Sequence, residues 1–114
     1  MSDNAVLLKQ LKIKSGSTLR LFKEHKLYQD EEVDLRRKLD KLIADNANNA
    51  EEWDIRNTRR MLEESQKMIA DSASRLGQAA QELRELLLSA EQDAALAQDP
   101  ELLKAQEALE IVSV

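Results

Sequence analysis

One hundred and fourteen residues fit a single domain, and two glycines and one proline cannot supply the turns of a sandwich, a barrel or a doubly wound sheet. A chain that is 34% charged and 3% aromatic points instead to long helices or a coiled-coil-like bundle. The net charge of −5 excludes a general nucleic-acid binder, and the lack of cysteine excludes disulfides and thiolate chemistry.

The opening Met1-Ser2-Asp3-Asn4 lacks the basic and apolar regions of a signal peptide. The run Leu86-Leu87-Leu88 is far too short to span a bilayer. These features predict a soluble cytoplasmic protein with no membrane partner.

A first helix is predicted from about residue 4 to 44. Its seam reads Leu11, Lys14, Thr18, Leu21, His25, Tyr28, Glu32, Leu35, Leu39 and Leu42, in alternating steps of three and four. Glu32 with Arg36 and Asp34 with Lys38 are acid-before-base pairs at i,i+4, each adding a few tenths of a kcal/mol. Asp45-Asn46-Ala47-Asn48-Asn49 is the clearest break, because Asn and Asp side chains bond nearby backbone in turns. Asn49 with Glu52 three residues on has the form of a capping box.

The second helix, about 50 to 91, carries the cleanest pattern: Ile55, Thr58, Leu62, Ser65, Ile69, Ser72, Leu76, Ala79, Leu83, Leu86 and Ala90. Large aliphatics and small residues alternate, so a neighbouring helix can approach along the small row. Gly77 lies inside this pattern at a cost of about 1 kcal/mol relative to Ala. Residues 91–98 read equally as helix or connector. Asp99-Pro100-Glu101 then announces a third helix, about 100 to 113, with a cap, a first-turn proline and an acid at the positive end of the dipole. Its apolar stripe is Leu102, Ala105, Leu109 and Val112.

The flanks predict where the third helix lies. On the first helix the flank is apolar early (Leu8, Phe22) and polar later (Gln29, Arg36), although Ile43 departs from the trend. On the second helix it is polar early (Arg59, Gln66) and apolar later (Ala73, Ala80, Leu87). Antiparallel pairing brings the apolar halves together, so the third helix should cover that end and leave the other as a two-helix pair. The expected fold is all-α: an elongated antiparallel three-helix bundle with two long helices and a shorter third.

Two blocks in this frame resemble a known family. Leu11-Lys12-Ile13-Lys14-Ser15-Gly16, with Arg20, Lys23-Glu24 and Tyr28, is similar to the opening helix of tubulin-binding cofactor A. Trp53-Asp54-Ile55, then Leu62-Glu63-Glu64-Ser65, Met68-Ile69, Asp71 and Arg75-Leu76, is similar to its second helix. The resemblance covers about residues 10–90 in order and spacing; the tail from Ala94 matches only in length and helical character. It implies a non-enzymatic chaperone of the cytoplasm and cytoskeleton that uses no nucleotide, metal or other cofactor. Such a protein holds β-tubulin after the chaperonin step for assembly of the heterodimer, handing it to other tubulin-folding cofactors. The chain departs from the family pattern at Ile69-Ala70-Asp71, where Ile-Pro-Asp is common, and at Trp53, where tyrosine is usual. Without the proline the second helix should run straighter.

No catalytic set is legible. His25 is the single histidine and reads as a polar seam residue, with Glu32 one heptad on as a possible partner for it. The carboxylates are scattered along helical faces, and the two glycines form no phosphate-cradling loop.

Partner binding is the better reading, and the candidate residues fall in two groups. Lys9, Lys12, Arg20, Lys23 and Lys26 point away from the first seam, with Leu19 and Leu27 among them, as a basic, partly apolar strip for an acidic partner. An ordinary solvated face is the competing explanation. Met61 and Met68 are seven apart on the second helix, where core filling is the favoured role and a contact surface the alternative. With Trp53 they form the second candidate surface, toward the two-helix end. The rival function is a self-associating helical scaffold of the kind found in trafficking adaptors, and exposed seams allow either a monomer or a homodimer.

Overall fold

The computed structural model describes residues 3–45 and 52–113. Among them there are three α-helices and no strand: α1 (Asp3–Asp45), α2 (Glu52–Glu91) and α3 (Pro100–Val112). The Asn46–Asn49 turn and the Asn49 cap lie outside the described residues. The all-α, antiparallel arrangement of two long helices and a shorter third is as the periodicity predicts.

Every residue of both predicted seams is buried or half-buried. The chain groups into two compact units, one of residues 1–23 with 74–114, the other of residues 24–73.

In the first unit α1, α2 and α3 enclose an aliphatic core. Leu11, Leu83, Leu87, Ala90, Leu96, Leu102, Ala105 and Ala108 are buried, with Leu7, Leu8, Leu19, Leu86 and Leu109 packed against them. Buried alanines on α2 and α3 let the helix axes come close while the leucines fill the remaining volume. The flank prediction needs one correction here. Ala73, counted with the apolar flank, is exposed, whereas Ala80 and Leu87 are buried.

The connector left open by the sequence is capped at both ends. The helix α2 ends at Glu91, and the Asp93 side chain accepts a hydrogen bond from the Ala95 N–H, starting a single 3-10 turn at Ala94–Leu96. That turn places Leu96 in the core. Asp99 then accepts from the Glu101 N–H at 2.9 Å, and Pro100 opens α3 where a missing N–H costs nothing.

The second unit is a pair of helix segments with a more polar seam. From α2 it buries Ile55 and Leu62 together with Thr58, Ser65 and Ser72. From α1 it contributes His25, Tyr28, Glu32, Leu35, Leu39 and Leu42, all half-buried. The antiparallel register is fixed by His25 with Ser72, whose ring Nδ1 and hydroxyl Oγ are 2.7 Å apart, and by the Ser65 hydroxyl donating to the Tyr28 carbonyl at 3.5 Å. With Ala70 in place of proline, α2 keeps its helical hydrogen bonding through this region and is continuous from Glu52 to Glu91.

Candidate functional surfaces

Lys9, Lys12, Arg20 and Lys23 are exposed in the three-helix unit, and among the described residues none of them is in an ion pair. At 100° per residue their positions on α1 fall within one quadrant turned away from the buried Leu11 and Thr18. Lys26 and Leu27 belong to the two-helix unit. Both are exposed there, Leu27 at 66%.

Leu19 departs from the expected placement. It is half-buried and packs against the aliphatic core, where it lines an open groove of about 330 Å³ between α1 and α3 with Ser15, Gly16 and Ala108. The third helix arrives on that side of α1, so Leu19 is covered while Leu27, two turns later, is not. Lys12 lines the same groove with Glu101 and Glu107 and is in an ion pair with neither; Glu101 lies 3.9 Å from Lys104. The groove floor carries a buried Ser15 hydroxyl with no hydrogen-bond partner among the described residues.

The seam lysine is accounted for by a carboxylate. Lys14 Nζ and Glu82 form a cross-helix ion pair at 2.5 Å, both side chains partly exposed. The hydrogen bond from Lys14, assisted by one from Gln78, holds the Glu82 carboxyl below the usual carboxylate range. Leu86, Ile13 and Gln10 flank this pair in an open groove.

His25 and Glu32 are not brought together. Glu32 pairs with Arg36 one turn on, at 3.0 Å, as the i,i+4 spacing predicts. His25 meets Ser72, whose hydroxyl also lies 3.0 Å from the Ile69 carbonyl. The hydroxyl has one proton. When it is given to the carbonyl, His25 Nδ1 must be the donor to Ser72.

Met61 and Met68 are not core fillers. Both are about two-fifths exposed and line one groove with Leu35, Ser65, Glu31 and Glu64. A position on the flank, one step off the seam, leaves a long side chain half in water when no third helix lies over it. Trp53 is 61% exposed and does not join them. It lines a separate shallow notch with Arg56, Asn57 and Arg60 on the outward side of α2. The reading of the sequence overlooked these arginines, although their spacing of three and seven from Trp53 places them on its face.

Among the described residues no group of three His, Cys, Asp or Glu is placed to hold a metal ion, and no helix is long and apolar enough to cross a membrane.

Comparison with known proteins agrees with this architecture. The family model for tubulin binding cofactor A matches residues 6–109. The human tubulin-specific chaperone A is 36% identical over 87 residues, 76% of each chain. The rat tubulin-specific chaperone A is 36% identical over 89 residues, 78% of each chain. The solved structure of human tubulin chaperone cofactor a superposes with a TM-score of 0.76 at 31% identity, covering 95% of this chain and 99% of that one. The crystal structure of tubulin folding cofactor A from Arabidopsis thaliana gives a TM-score of 0.77 at 26% identity, covering 96% and 97%.

Proposed function

Because the chain belongs to the tubulin binding cofactor A family, whose members are non-enzymatic chaperones, we propose that it is a tubulin-folding cofactor with β-tubulin as its specific client. It holds β-tubulin after release from the chaperonin, in the cytoplasm, and passes it to other folding cofactors for heterodimer assembly.

The observation that carries this reading onto particular residues is the exposed, unpaired basic face of α1. The segment 9–26 holds six basic residues and one acid in a chain of net charge −5. Four of the six, Lys9, Lys12, Arg20 and Lys23, share one exposed face of the helix and are in no ion pair among the described residues, whereas Lys14 is paired with Glu82. Such a face steers an acidic partner and orients it, with an attraction that weakens as salt is raised. Leu27 and the Met61–Met68 groove offer apolar contact in the two-helix unit, where large side chains are left half in water.

A tubulin pull-down run beside size-exclusion chromatography with light scattering tests the function. The expected result is a complex with β-tubulin chains. A stable homodimer that ignores tubulin would instead identify a self-associating scaffold. Replacing Lys12, Arg20 and Lys23 together by Gln should weaken capture roughly tenfold and flatten its salt dependence. Unchanged capture by that variant sinks the assignment to this face while leaving the family intact.

A further inference from the structure

The outward side of the first two turns of α2 carries a feature that the basic face of α1 does not use. Trp53, the single tryptophan of the chain, is 61% exposed, and Arg56, Asn57 and Arg60 lie beside it. An indole left in water at the surface forfeits most of the burial free energy its ring would gain in a core. Arg56, Arg59 and Arg60 add three positive charges within five residues.

No direct ion pair joins these arginines to a carboxylate among the described residues. The Arg60 Nη2 donates to the neutral Asn57 Oδ1 at 2.7 Å. The amide steers that guanidinium without cancelling its charge. A guanidinium fixed this way retains free N–H groups in the planar fork that matches a carboxylate.

We propose that the Trp53–Arg56–Arg60 ledge binds a short acidic peptide segment of a partner protein. Two guanidiniums take side-chain carboxylates while the aliphatic stems of the acidic residues lie on the indole. From Trp53 to Arg60 the ledge rises about 10 Å along the helix axis. An extended peptide covers that distance in about three residues.

The surroundings limit what fits. Glu52 precedes the ledge, the half-buried Asp54 lies beside Trp53, and Glu63 and Glu64 follow within one turn, the three glutamates exposed. They repel a chain that stays anionic in both directions, as a nucleic acid does, and tolerate a peptide whose acidic stretch is brief. An aromatic ring beside arginines also suits single-stranded nucleic acid. The flanking glutamates and the overall negative charge favour the peptide.

This inference does not depend on the basic face of α1 or on tubulin, and the test uses neither. The full-length protein is titrated into a fluorescein-labelled peptide with a central run of glutamates, read by anisotropy at low salt. A glutamine-substituted peptide and a labelled single-stranded oligonucleotide are run alongside, and Trp53 emission is followed with unlabelled peptide. Saturable binding of the glutamate peptide is expected, with a blue shift of Trp53 emission and no response to the glutamine peptide. R56Q/R60Q should weaken binding roughly tenfold with helicity by circular dichroism unchanged, whereas R56K/R60K retains part of it. K12Q/R20Q/K23Q should bind the peptide like the parent. The inference is overturned by no binding at low salt, by equal binding of the glutamine peptide, or by tighter binding of the oligonucleotide. Affinity undiminished in R56Q/R60Q also overturns it.

Discussion

Where residues 3–23 meet 74–112, a core mostly of leucine and alanine, with Thr18 and Ser15, lies under a third helix; in residues 24–73, two helix segments share a seam in which Ile55, Leu62 and three half-buried leucines alternate with serine, threonine, histidine and tyrosine. Both follow the same three-four alternation, so periodicity alone does not distinguish them. The difference is in what each seam can bury. The third helix makes complete desolvation possible, and fully buried aliphatics collect beneath it: Leu11 and Leu83 are wholly inaccessible. A pair of helices leaves its flanks in water. Thr58, Ser65 and Ser72 are buried between the two helices all the same, while large side chains such as Leu27, Met61 and Met68 stand exposed on the flanks. One region has a desolvated aliphatic core under three helices, while the other buries only a single seam between two.

The largest test of that contrast is Leu83→Ala. Loss of a wholly buried leucine from the aliphatic core should cost about 2–5 kcal/mol in chemical denaturation. A cost under about 1 kcal/mol would mean that the three-helix core is loose, and the comparison would collapse.

His25 and Ser72 probe the other seam. A double-mutant cycle with His25→Ala and Ser72→Ala should return a coupling of about 1 kcal/mol. Zero coupling would show that the polar seam is only tolerated there and does not fix register.

Gly77 sharpens the comparison from the stable side. It is exposed in α2, and a Cβ added there meets nothing within 4 Å. Gly77→Ala should therefore stabilise by about 0.4–1 kcal/mol, raising the denaturation midpoint at an unchanged slope. Destabilisation would reveal a contact that the free space does not suggest.

The smallest effect is the pH dependence of the Lys14–Glu82 pair. The folded carboxyl titrates below its ordinary value, so its contribution is present above the ordinary carboxylate range and is lost as the pH falls through the lowered value. Lys14→Gln should lower stability slightly at neutral pH, and the gap from the parent should close on acidification through that window. A gap that stays constant with pH would assign the cost to lost packing of the lysine stem.

Much of the architecture was legible in the residue pattern. Helix type, helix order and both seams follow from a period near 3.6, because any residue on one side of a helix meets whatever that side packs against. Asp99-Pro100-Glu101 announced α3 through cap chemistry that acts within one turn, and the two motif blocks carried the family resemblance. The candidate surfaces were legible in part. Lys9, Lys12, Arg20 and Lys23 could be placed outward because they lie opposite a seam already identified.

Tertiary structure alone decided how far cover by the third helix extends, since that depends on where a distant segment lands. Leu19 and Leu27 are both leucines off the seam of α1, yet one is covered and the other is not. Ala73 and Ala80 are both alanines on one flank of α2, yet only Ala80 is buried. Lys14 and Glu82 are 68 positions apart, and their pairing depends on the antiparallel register. Leu96 enters the core only because an Asp93-capped turn redirects the chain. Local sequence sets the direction of each side chain relative to its own helix axis, whereas burial is a property of neighbours that lie far away along the chain.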